Sequence, residues 1–265
     1  MKLKKQYKIE LAPTLAGHWY SVHKQIPDRK TKALVKKELA AFSVENVEAY
    51  KEKFLGYFPS STTILEAYPL SKFLVDWKVQ QGATEADRIL KEAGARGTNV
   101  HDGIEHLLGG GELMKSGYSL DEWNRLNSFK AWFDKYKPKV LETEFRVFSE
   151  KYGYCGTFDV LAKINGVVSL GDWKTSSNIY PHFWLQLASY AEALEEMSNV
   201  KVEQTFICQF GSKNKDGYRY VINDVPWQDH FQTFLSVKNT FEYDKGIDKD
   251  FEPPILNLPE TLRLS

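Results

Sequence analysis

Residues 153–175 have the sequence Gly153-Tyr-Cys-Gly-Thr-Phe-Asp-Val-Leu-Ala-Lys-Ile-Asn-Gly-Val-Val-Ser-Leu-Gly-Asp-Trp-Lys-Thr175. Two runs rich in β-branched and aromatic residues flank the dipeptide Asn165-Gly166. This dipeptide favours a type I′ turn, because both of its residues tolerate a positive φ. The pattern predicts a β-hairpin in which Ile164 pairs with Val167 across a two-residue loop.

The pairing that follows from this turn brings charged side chains to one face of the hairpin. It places Asp159 opposite Asp172, and Thr157 opposite Lys174. Side chains alternate along a strand, so Lys174 shares the face of Asp172 and of its partner Asp159. Like charges that face each other are destabilising, and hard cations such as Mg²⁺ bind carboxylate oxygens. We therefore expect a divalent cation between Asp159 and Asp172.

The alternative is a surface hairpin whose Asp and Lys residues are merely solvated. Against this alternative, the hairpin is apolar on both faces, which is typical of a covered central strand where unpaired charge is costly. The apolar residues are Phe158, Val160 and Ile164 on one face and Leu161, Val168 and Leu170 on the other. The hairpin composition therefore favours a functional pair of carboxylates.

Length and charge restrict the class of protein. The chain has 265 residues, of which 42% are hydrophobic, with 35 basic and 35 acidic residues. These values are ordinary for a globular chain with one large domain or two small ones. Because the net charge is zero, a nucleic-acid partner would have to be held by local basic patches and metal ions, not by a global positive field.

The two cysteines, Cys155 and Cys208, are too few for a disulfide framework or for a four-thiolate zinc or iron–sulfur site. We expect buried thiols in a reducing compartment. No run approaches the length of a membrane span, and residues 1–8 lack the apolar core of a signal peptide. These features predict a cytosolic setting, that of a bacterium or of a phage in its host, with an organellar matrix as the alternative.

The first 95 residues predict a peripheral, mainly helical part of the chain. Residues 1–24 alternate loosely and could supply one or two strands. Helices are expected at 28–54, with Ser43 as an N-cap, at 72–80, and at 84–93, with Thr84 as an N-cap. The many Lys residues of 28–54 are more typical of a solvated helix face than of a phosphate-binding patch.

Four small hydroxyl residues stand before a short apolar helix in Pro59-Ser-Ser-Thr-Thr-Ile-Leu-Glu-Ala-Tyr68. A helix N-terminus with free N–H groups and hydroxyls can bind an anion. Ser and Thr are equally common as simple helix caps. Both a phosphate contact and a cap remain open for this segment.

A sharper signal lies in Arg96-Gly-Thr-Asn-Val-His-Asp-Gly-Ile-Glu-His-Leu-Leu108. It predicts a turn at Gly97, an N-cap at Thr98 and a helix that ends at the glycines 109–111. His101 and Glu105 are i, i+4 neighbours and share a helix face. Such a pair is more often a helix-stabilising ion pair than part of a metal site, and both interpretations remain open.

The remainder of the chain alternates between helices and strands. Helices are expected at 120–136, 181–197 and 227–243, and strands at 139–149, 202–210 and 218–225, before a tail from 246. Glu144, on the strand at 139–149, could reach the carboxylate face of the hairpin. Gln186 and Tyr190 lie one turn apart on a helix. We predict a single α/β domain with an N-terminal elaboration (1–95), a core (96–245) and a tail (246–265).

Taken together, the motifs resemble the PD-(D/E)XK nucleases of the RecB exonuclease type. The resemblance is carried by Gly97-Thr98-x-x-His101-x-x-x-Glu105, Gly156-Thr-x-Asp159, Asp172-Trp-Lys174-Thr175 and Gln186-x-x-x-Tyr190. Residues 59–65, followed by Trp77-Lys78, are similar to the mitochondrial genome maintenance exonucleases and their phage relatives. The resemblance implies a restriction-endonuclease-like core, a central mixed β-sheet flanked by helices, with an N-terminal helical elaboration.

The resemblance also implies a catalytic centre that uses Mg²⁺ or Mn²⁺. It makes His101, Asp159, Asp172 and the Trp173 carbonyl metal ligands, and places Glu144 nearby as a catalytic acidic residue. Lys174 would orient the attacking water and stabilise the charged transition state. Phe158 stands where the family name has Pro, and the second acid is Asp instead of Glu, two departures that the RecB type allows.

The substrate implied by the resemblance is DNA, preferably a single strand with a free end. The residues implied in substrate binding are Ser61, Thr62, Thr63, Arg96, Thr98, Thr175, Gln186 and Tyr190. The branch of the family that carries an iron–sulfur cluster needs four cysteines, which this chain lacks. The alternatives are an endonuclease or double-strand exonuclease of the same fold, and a nucleic-acid-binding module that does not cleave.

Overall fold

The computed structural model describes residues 1–12, 17–27, 50–211 and 215–246. Within these residues the strands are β1 (Tyr7–Ala12), β2 (Trp19–Pro27), β3 (Tyr50–Pro59), β4 (Lys139–Ser149), β5 (Tyr154–Ile164), β6 (Val167–Lys174), β7 (Gln204–Phe210) and β8 (Tyr218–Ile222). The helices are α1 (Ser61–Ile64), α2 (Lys72–Gln81), α3 (Ala83–Leu108), α4 (Leu120–Tyr136), α5 (Pro181–Met197) and α6 (Trp227–Lys245), with 3₁₀ turns at Leu65–Ala67 and Lys115–Gly117.

The strands form two sheets. An antiparallel sheet has the order β1-β2-β3, and a larger mixed sheet has the order β4-β5-β6-β7-β8. In the larger sheet only β6 and β7 are parallel. Parallel neighbours need a crossover connection, and α5 supplies it between these two strands. The predicted α/β class, with a central mixed sheet flanked by helices, is confirmed.

Apolar side chains cover both faces of the central strands β5 and β6. Leu161 and Leu170 belong to a first core cluster, which they share with α5, α6 and the three-stranded sheet. Val160 and Trp173 belong to a second core cluster, which they share with α3 and α4. Phe158 packs in the first cluster, not with Val160 as strict alternation predicts. Burial on both faces explains why the hairpin sequence is almost continuously apolar.

The hairpin turn has the predicted geometry. Asn165 and Gly166 have φ values of 51° and 88°, and Ile164 pairs with Val167. The ladder between β5 and β6 ends one step before the two aspartates, at the pair Val160–Gly171. The predicted cross-strand pairs of Asp159 with Asp172 and of Thr157 with Lys174 are therefore not part of the ladder, which ends before these residues.

The N-terminal part differs from the sequence-based expectation. Strands β1 and β2 confirm that residues 1–24 contain strand. The helix expected at 28–54 is wrong at its end, because residues 50–54 begin β3 and pair with β2. The rest of that predicted helix, with its Ser43 cap, lies outside the described residues. Pairing with a distant strand overrides a local helical pattern here.

Helix α3 is the second difference. It runs without a break for 26 residues, and it begins after Gly82, not at a Thr84 cap. The turn predicted at Gly97 and the cap predicted at Thr98 are wrong: the Thr98 hydroxyl donates to the Gly94 carbonyl inside the helix, at 3.3 Å. A glycine inside a helix costs only about 1 kcal/mol, so packing can hold the helix together. The boundary predicted between residues 95 and 96 falls inside this helix.

The remaining elements agree closely with the sequence pattern. The predicted bounds of β4, α4 and α5 are those found, and β7, β8 and α6 differ from prediction by a few residues at one end. Cys155 and Cys208 are free and buried, as expected. No helix among the described residues is long and apolar enough to cross a membrane. The predicted tail after Gly246 lies outside the described residues.

Candidate metal centre

Three acidic residues come from three neighbouring strands at one level of the sheet. Glu144 on β4 stands opposite Asp159 on β5, between the two β4–β5 pairs that flank it. Asp172 on β6 directly follows the last β5–β6 pair. Asp159 and Asp172 are buried, with 8% and 2% of their surface exposed. The strand register therefore concentrates negative charge at a place that water reaches poorly.

The fourth member of the site comes from helix α3. Val100 and Ile104 bury one face of this helix in the second core cluster, and His101 lies beside them. Its Nδ1 atom is 3.7 Å from Oδ2 of Asp159. Among the residues that the structure describes, His101 forms no ion pair with Glu105. Of the two arrangements considered from the sequence, the structure has the imidazole of His101 directed towards the carboxylates and not paired with Glu105.

The spacing of these side chains suits one cation. His101, Glu144 and Asp159 each offer one ligand atom, and the three atoms lie within 4.8 Å of one another. Mg²⁺ binds oxygen at about 2.1 Å, so ligand atoms around one ion lie at most about 4.2 Å apart. Side-chain adjustments of less than 1 Å would close the cluster around an ion.

The backbone of Glu144 is strained. Its φ is 45°, a left-handed value that is uncommon for a residue with a β-carbon. Such a conformation costs about 1–3 kcal/mol and persists where the surrounding structure imposes it. Because β4 remains paired on both sides of Glu144, the strain redirects this one side chain without ending the strand.

Burial raises the pKa of Glu144 to about 8, and the negative charge of Asp159 adds to the effect. Burial likewise raises the pKa of Asp172, against the opposing influence of Lys174. The buried Oδ2 atom of Asp172 has no hydrogen-bond partner of suitable angle, although Lys174 lies close to it. Carboxylate oxygens gathered at one place fit a hard divalent cation such as Mg²⁺ or Mn²⁺.

Lys174 is held by three contacts. Its Nζ atom lies 2.5 Å from Asp172 Oδ2, donates to Gln186 Oε1 at 3.2 Å, and stands 4.4 Å from the centre of the Phe183 ring. Gln186 is itself oriented, because its Nε2 donates to the Tyr190 hydroxyl at 2.8 Å. Helix α5 thus positions the ammonium group of β6.

Tyr190 in turn depends on a glycine. A β-carbon at Gly156 would lie 2.2 Å from a Tyr190 ring atom, so any side chain there would displace the ring. This close approach explains the glycine of the Gly156-Thr-x-Asp159 motif by packing.

Trp173 has a role that the sequence pattern did not reveal. Its backbone N–H donates to Asp159 Oδ2 at 2.6 Å, across the gap where the β5–β6 ladder has ended. The indole ring is buried among the aromatic rings of the second core cluster, 5.2 Å from Trp132 and 5.8 Å from Phe206. This hydrogen bond holds the Asp159 carboxylate in place. Coordination by the Trp173 carbonyl stays a prediction.

The Ser and Thr hydroxyls of residues 60–63, at the start of α1, mainly make structural hydrogen bonds. Ser60 caps the helix by accepting from Thr63 N at 3.0 Å. Ser61 and Thr63 are buried, and their hydroxyls donate to the carbonyls of Cys155 and His18. Of the three residues predicted here as substrate contacts, the exposed one is Thr62.

The other predicted substrate contacts are spread along the edge of the site. Arg96 and Thr98 are exposed on α3, and a β-carbon at Gly97 would lie 3.2 Å from the Thr175 hydroxyl. The Thr175 carbonyl accepts from Arg125 at 2.7 Å, and the same guanidinium nitrogen donates to the Phe210 carbonyl. Arg125 was not anticipated from sequence, because only the fold brings α4 to the ends of β6 and β7.

A cleft of about 700 Å³ opens beside the acidic residues, between β4 and the three-stranded sheet. Glu105 and Glu144 line it, together with Tyr7, Tyr20 and Arg146. Its volume is typical of a ligand site. The sequence offered no signal for this cleft, since its walls come from elements far apart in the chain.

The fold and the site together describe an α/β protein with a candidate divalent-metal centre of two carboxylates and one imidazole, beside a third carboxylate, Asp172. No family model and no curated protein matches the chain. It is similar to the solved structure of SSO0001, with 13% identity over 81% of this chain and 84% of that one, and a TM-score of 0.39. It is also similar to a protein from Eubacterium rectale named "Putative exonuclease", with 17% identity over 75% and 79% and a TM-score of 0.35. Both TM-scores are too low to indicate a shared fold.

Proposed function

We propose that the protein is a metal-dependent deoxyribonuclease of the RecB exonuclease type, which hydrolyses phosphodiester bonds of single-stranded DNA with a free end. The observation that carries the proposal is an oriented ammonium group beside a buried acidic cluster. Lys174 Nζ lies 2.5 Å from Asp172, which adjoins the cluster of His101, Glu144 and Asp159. A carboxylate-bound cation can assist hydrolysis of a phosphodiester, and an ammonium group can offset the charge that builds on the phosphate.

The acidic cluster would hold Mg²⁺ or Mn²⁺ through His101, Glu144, Asp159 and Asp172. When bound, the ion supplies neutralisation of the scissile phosphate and a lowered pKa of the attacking water. The imidazole favours Mn²⁺ over Mg²⁺ to some degree. Trp173 N–H and the backbone of Glu144 hold two of the carboxylates in position before any ligand arrives.

Lys174 has a separate part in the reaction. An ammonium group donates three hydrogen bonds and accepts none, so it cannot bind the cation. Lys174 would hold the attacking water and offset the charge that builds on the phosphate. Gln186 and Phe183 keep the ammonium group within reach of the site.

The cleft beside Glu144 is the proposed path of the DNA strand. It reaches Glu144 from the side of β4, and its charged lining residues are Glu105, Glu144 and Arg146. Two acidic residues against one basic residue disfavour a bare phosphate backbone and make binding depend on the cation. With equal numbers of acidic and basic residues in the chain, we expect DNA affinity to rise strongly when Mg²⁺ or Mn²⁺ is added.

The test is a cleavage assay with end-labelled linear single strands, closed circular single strands and duplex DNA, in Mg²⁺, in Mn²⁺ and in chelator. We expect metal-dependent degradation of linear single strands and no cleavage of closed circles. Rapid nicking of closed circles would show that the activity is that of an endonuclease and not of an exonuclease. No cleavage of any DNA, in either metal, would refute the proposed function.

A matched pair of variants guards this assay against a contaminating nuclease. Lys174→Ala removes the ammonium group of the site. Lys163→Ala removes an exposed ammonium group of the same hairpin, on β5 and outside the acidic cluster. Activity must be lost in the first variant and kept in the second.

A further inference from the structure

Four aromatic rings surround the start of helix α5, and we call them the ring cluster: Tyr68, Tyr180, His182 and Phe183. The His182 ring lies 4.6 Å from Phe183, edge to face, and 5.8 Å from Tyr180, nearly parallel to it at 8°. Tyr68 lies 6.0 Å from His182. All four side chains are partly exposed. The cluster therefore presents aromatic surface at the edge of the protein.

The ring cluster touches the candidate metal centre through one contact. Lys174 Nζ stands 4.4 Å from the centre of the Phe183 ring, within the range of a cation–π interaction. Phe183 is thus engaged with the ammonium group. Tyr180 and His182 continue the aromatic surface away from that group.

Strand order places the ring cluster on one side of the acidic residues. Glu144 and one wall of the cleft belong to β4, Asp159 to β5 and Lys174 to β6, and Phe183 of the ring cluster, at the start of α5, contacts Lys174. A phosphate at Asp159 would therefore have one neighbouring nucleotide on the side of the cleft and the other on the side of the rings.

The chemistry of the rings suits a nucleobase. Burial, with the nearby charge of Lys174, lowers the pKa of His182, which favours the uncharged form of this flat aromatic ring. Unpaired bases stack on such rings with little dependence on sequence. A base inside a duplex is already stacked and paired, and cannot reach them without unpairing.

We propose that Tyr180 and His182 form a stacking site for the unpaired base next to the scissile phosphate, while Phe183 positions Lys174. This inference rests on the proposed function and deepens it, since it assigns the preference for single strands to particular residues. The opposing view is that the rings only pack against one another and against α5. Packing alone predicts a loss of stability that does not depend on the substrate.

The test uses linear single strands that carry one abasic residue, placed at successive positions. We expect the wild-type protein to pause where the missing base would lie on the rings, at one constant distance from the abasic residue. This arm needs no variant, so it does not depend on the folding of a mutant. Passage through the abasic residue at an unchanged rate, on every strand, would overturn the proposal.

The second arm compares Tyr180→Leu and Tyr180→Phe. We expect the Leu variant to raise KM for normal strands roughly 5- to 100-fold, as expected for loss of one stacked base, with kcat close to wild type, and the Phe variant to restore KM. On a strand whose abasic residue removes the stacked base, wild type and Tyr180→Leu should have the same KM. Tyr243→Leu, at a ring that is 91% exposed on α6, is the control and should change nothing.

The outcomes separate the two proposals. If the wild-type protein cleaves no DNA, the proposed function is wrong, and the stacking site falls with it. If it cleaves, but Tyr180→Leu changes kcat/KM equally on normal and abasic strands, the nuclease stands and the stacking site is wrong.

Discussion

The two halves of the candidate metal centre differ in how their charges are compensated. On β6, Asp172 has a counter-charge in Lys174, which Gln186 and Phe183 hold in place. On β4 and β5, Glu144 and Asp159 face each other, and within the described residues neither forms an ion pair with a Lys or Arg; His101 lies beside them. The cost of gathering these acidic groups is visible at Glu144, whose backbone is strained and whose pKa is raised.

This difference indicates a division of labour. The β6 half is complete without a metal, so it can be assembled as the chain folds. The β4–β5 half stays unfavourable until a cation enters, because buried like charges repel one another. Substitutions in the first half should therefore act on catalysis, and those in the second on metal binding and on metal-free stability.

The largest expected effect comes from Lys174→Ala. It should lower kcat by about 100- to 1,000-fold, the usual cost of one lost donor to a transition state, while Mn²⁺ and DNA still bind. Asp159→Asn, in the β4–β5 half, should lose both cleavage and metal affinity. Calorimetric titration with Mn²⁺ and single-turnover cleavage distinguish the two. An equal loss of metal affinity in both variants would show that the two halves do not differ in their roles.

The next effect concerns His101. We expect His101→Ala to weaken Mn²⁺ binding at least tenfold, because it removes one ligand from the less compensated half. His106→Ala, an exposed histidine one residue past Glu105 on the same helix, provides the control. Wild-type Mn²⁺ affinity in His101→Ala would show that the imidazole is only a neighbour of the site.

A pair of glycine substitutions tests how α5 supports the β6 half. Gly156→Ala places a β-carbon 2.2 Å from the Tyr190 ring, and overpacking of this kind typically costs about 1–3 kcal/mol of unfolding free energy. It should also lower kcat through Gln186. Gly94→Ala meets no atom within 4 Å inside α3, and should stabilise by up to about 1 kcal/mol. Urea unfolding of both variants measures the contrast.

The last expected effect is a pH dependence of the metal-free protein. The pKa of Glu144 is about 8 in the folded state against 4.5 for the free group. Between these values the unfolded chain releases the proton and the folded chain keeps it, so the free energy of unfolding falls as pH rises. We expect the melting temperature in chelator to fall from pH 5 to pH 8, less so in Glu144→Gln, and Mn²⁺ to reverse the fall. If the melting temperature depended on pH equally in the wild-type protein and in Glu144→Gln, Glu144 would not be the cause.

Local patterns were sufficient for the central elements of the fold. The Asn165-Gly166 turn and the helical patterns of residues 120–136 and 181–197 are short-range signals, and those elements lie where they were predicted. Local patterns gave the wrong element where contacts with distant parts of the chain determine the structure. Helix α3 continues through Gly97, and β3 forms because β2 lies beside it. Local propensity is worth about 1 kcal/mol per residue, and tertiary packing exceeds it.

For the candidate site, the sequence by itself determined which residues could meet. The two-residue turn sets the register that leaves Asp159 and Asp172 each one residue beyond the last β5–β6 pair. Only the tertiary structure decided how they are held: the left-handed backbone of Glu144, the bond from Trp173 N–H to Asp159, and the ring cluster beside Lys174. These features depend on where a ladder ends and on which helix packs against it. Non-local packing sets both, and no short-range pattern encodes them.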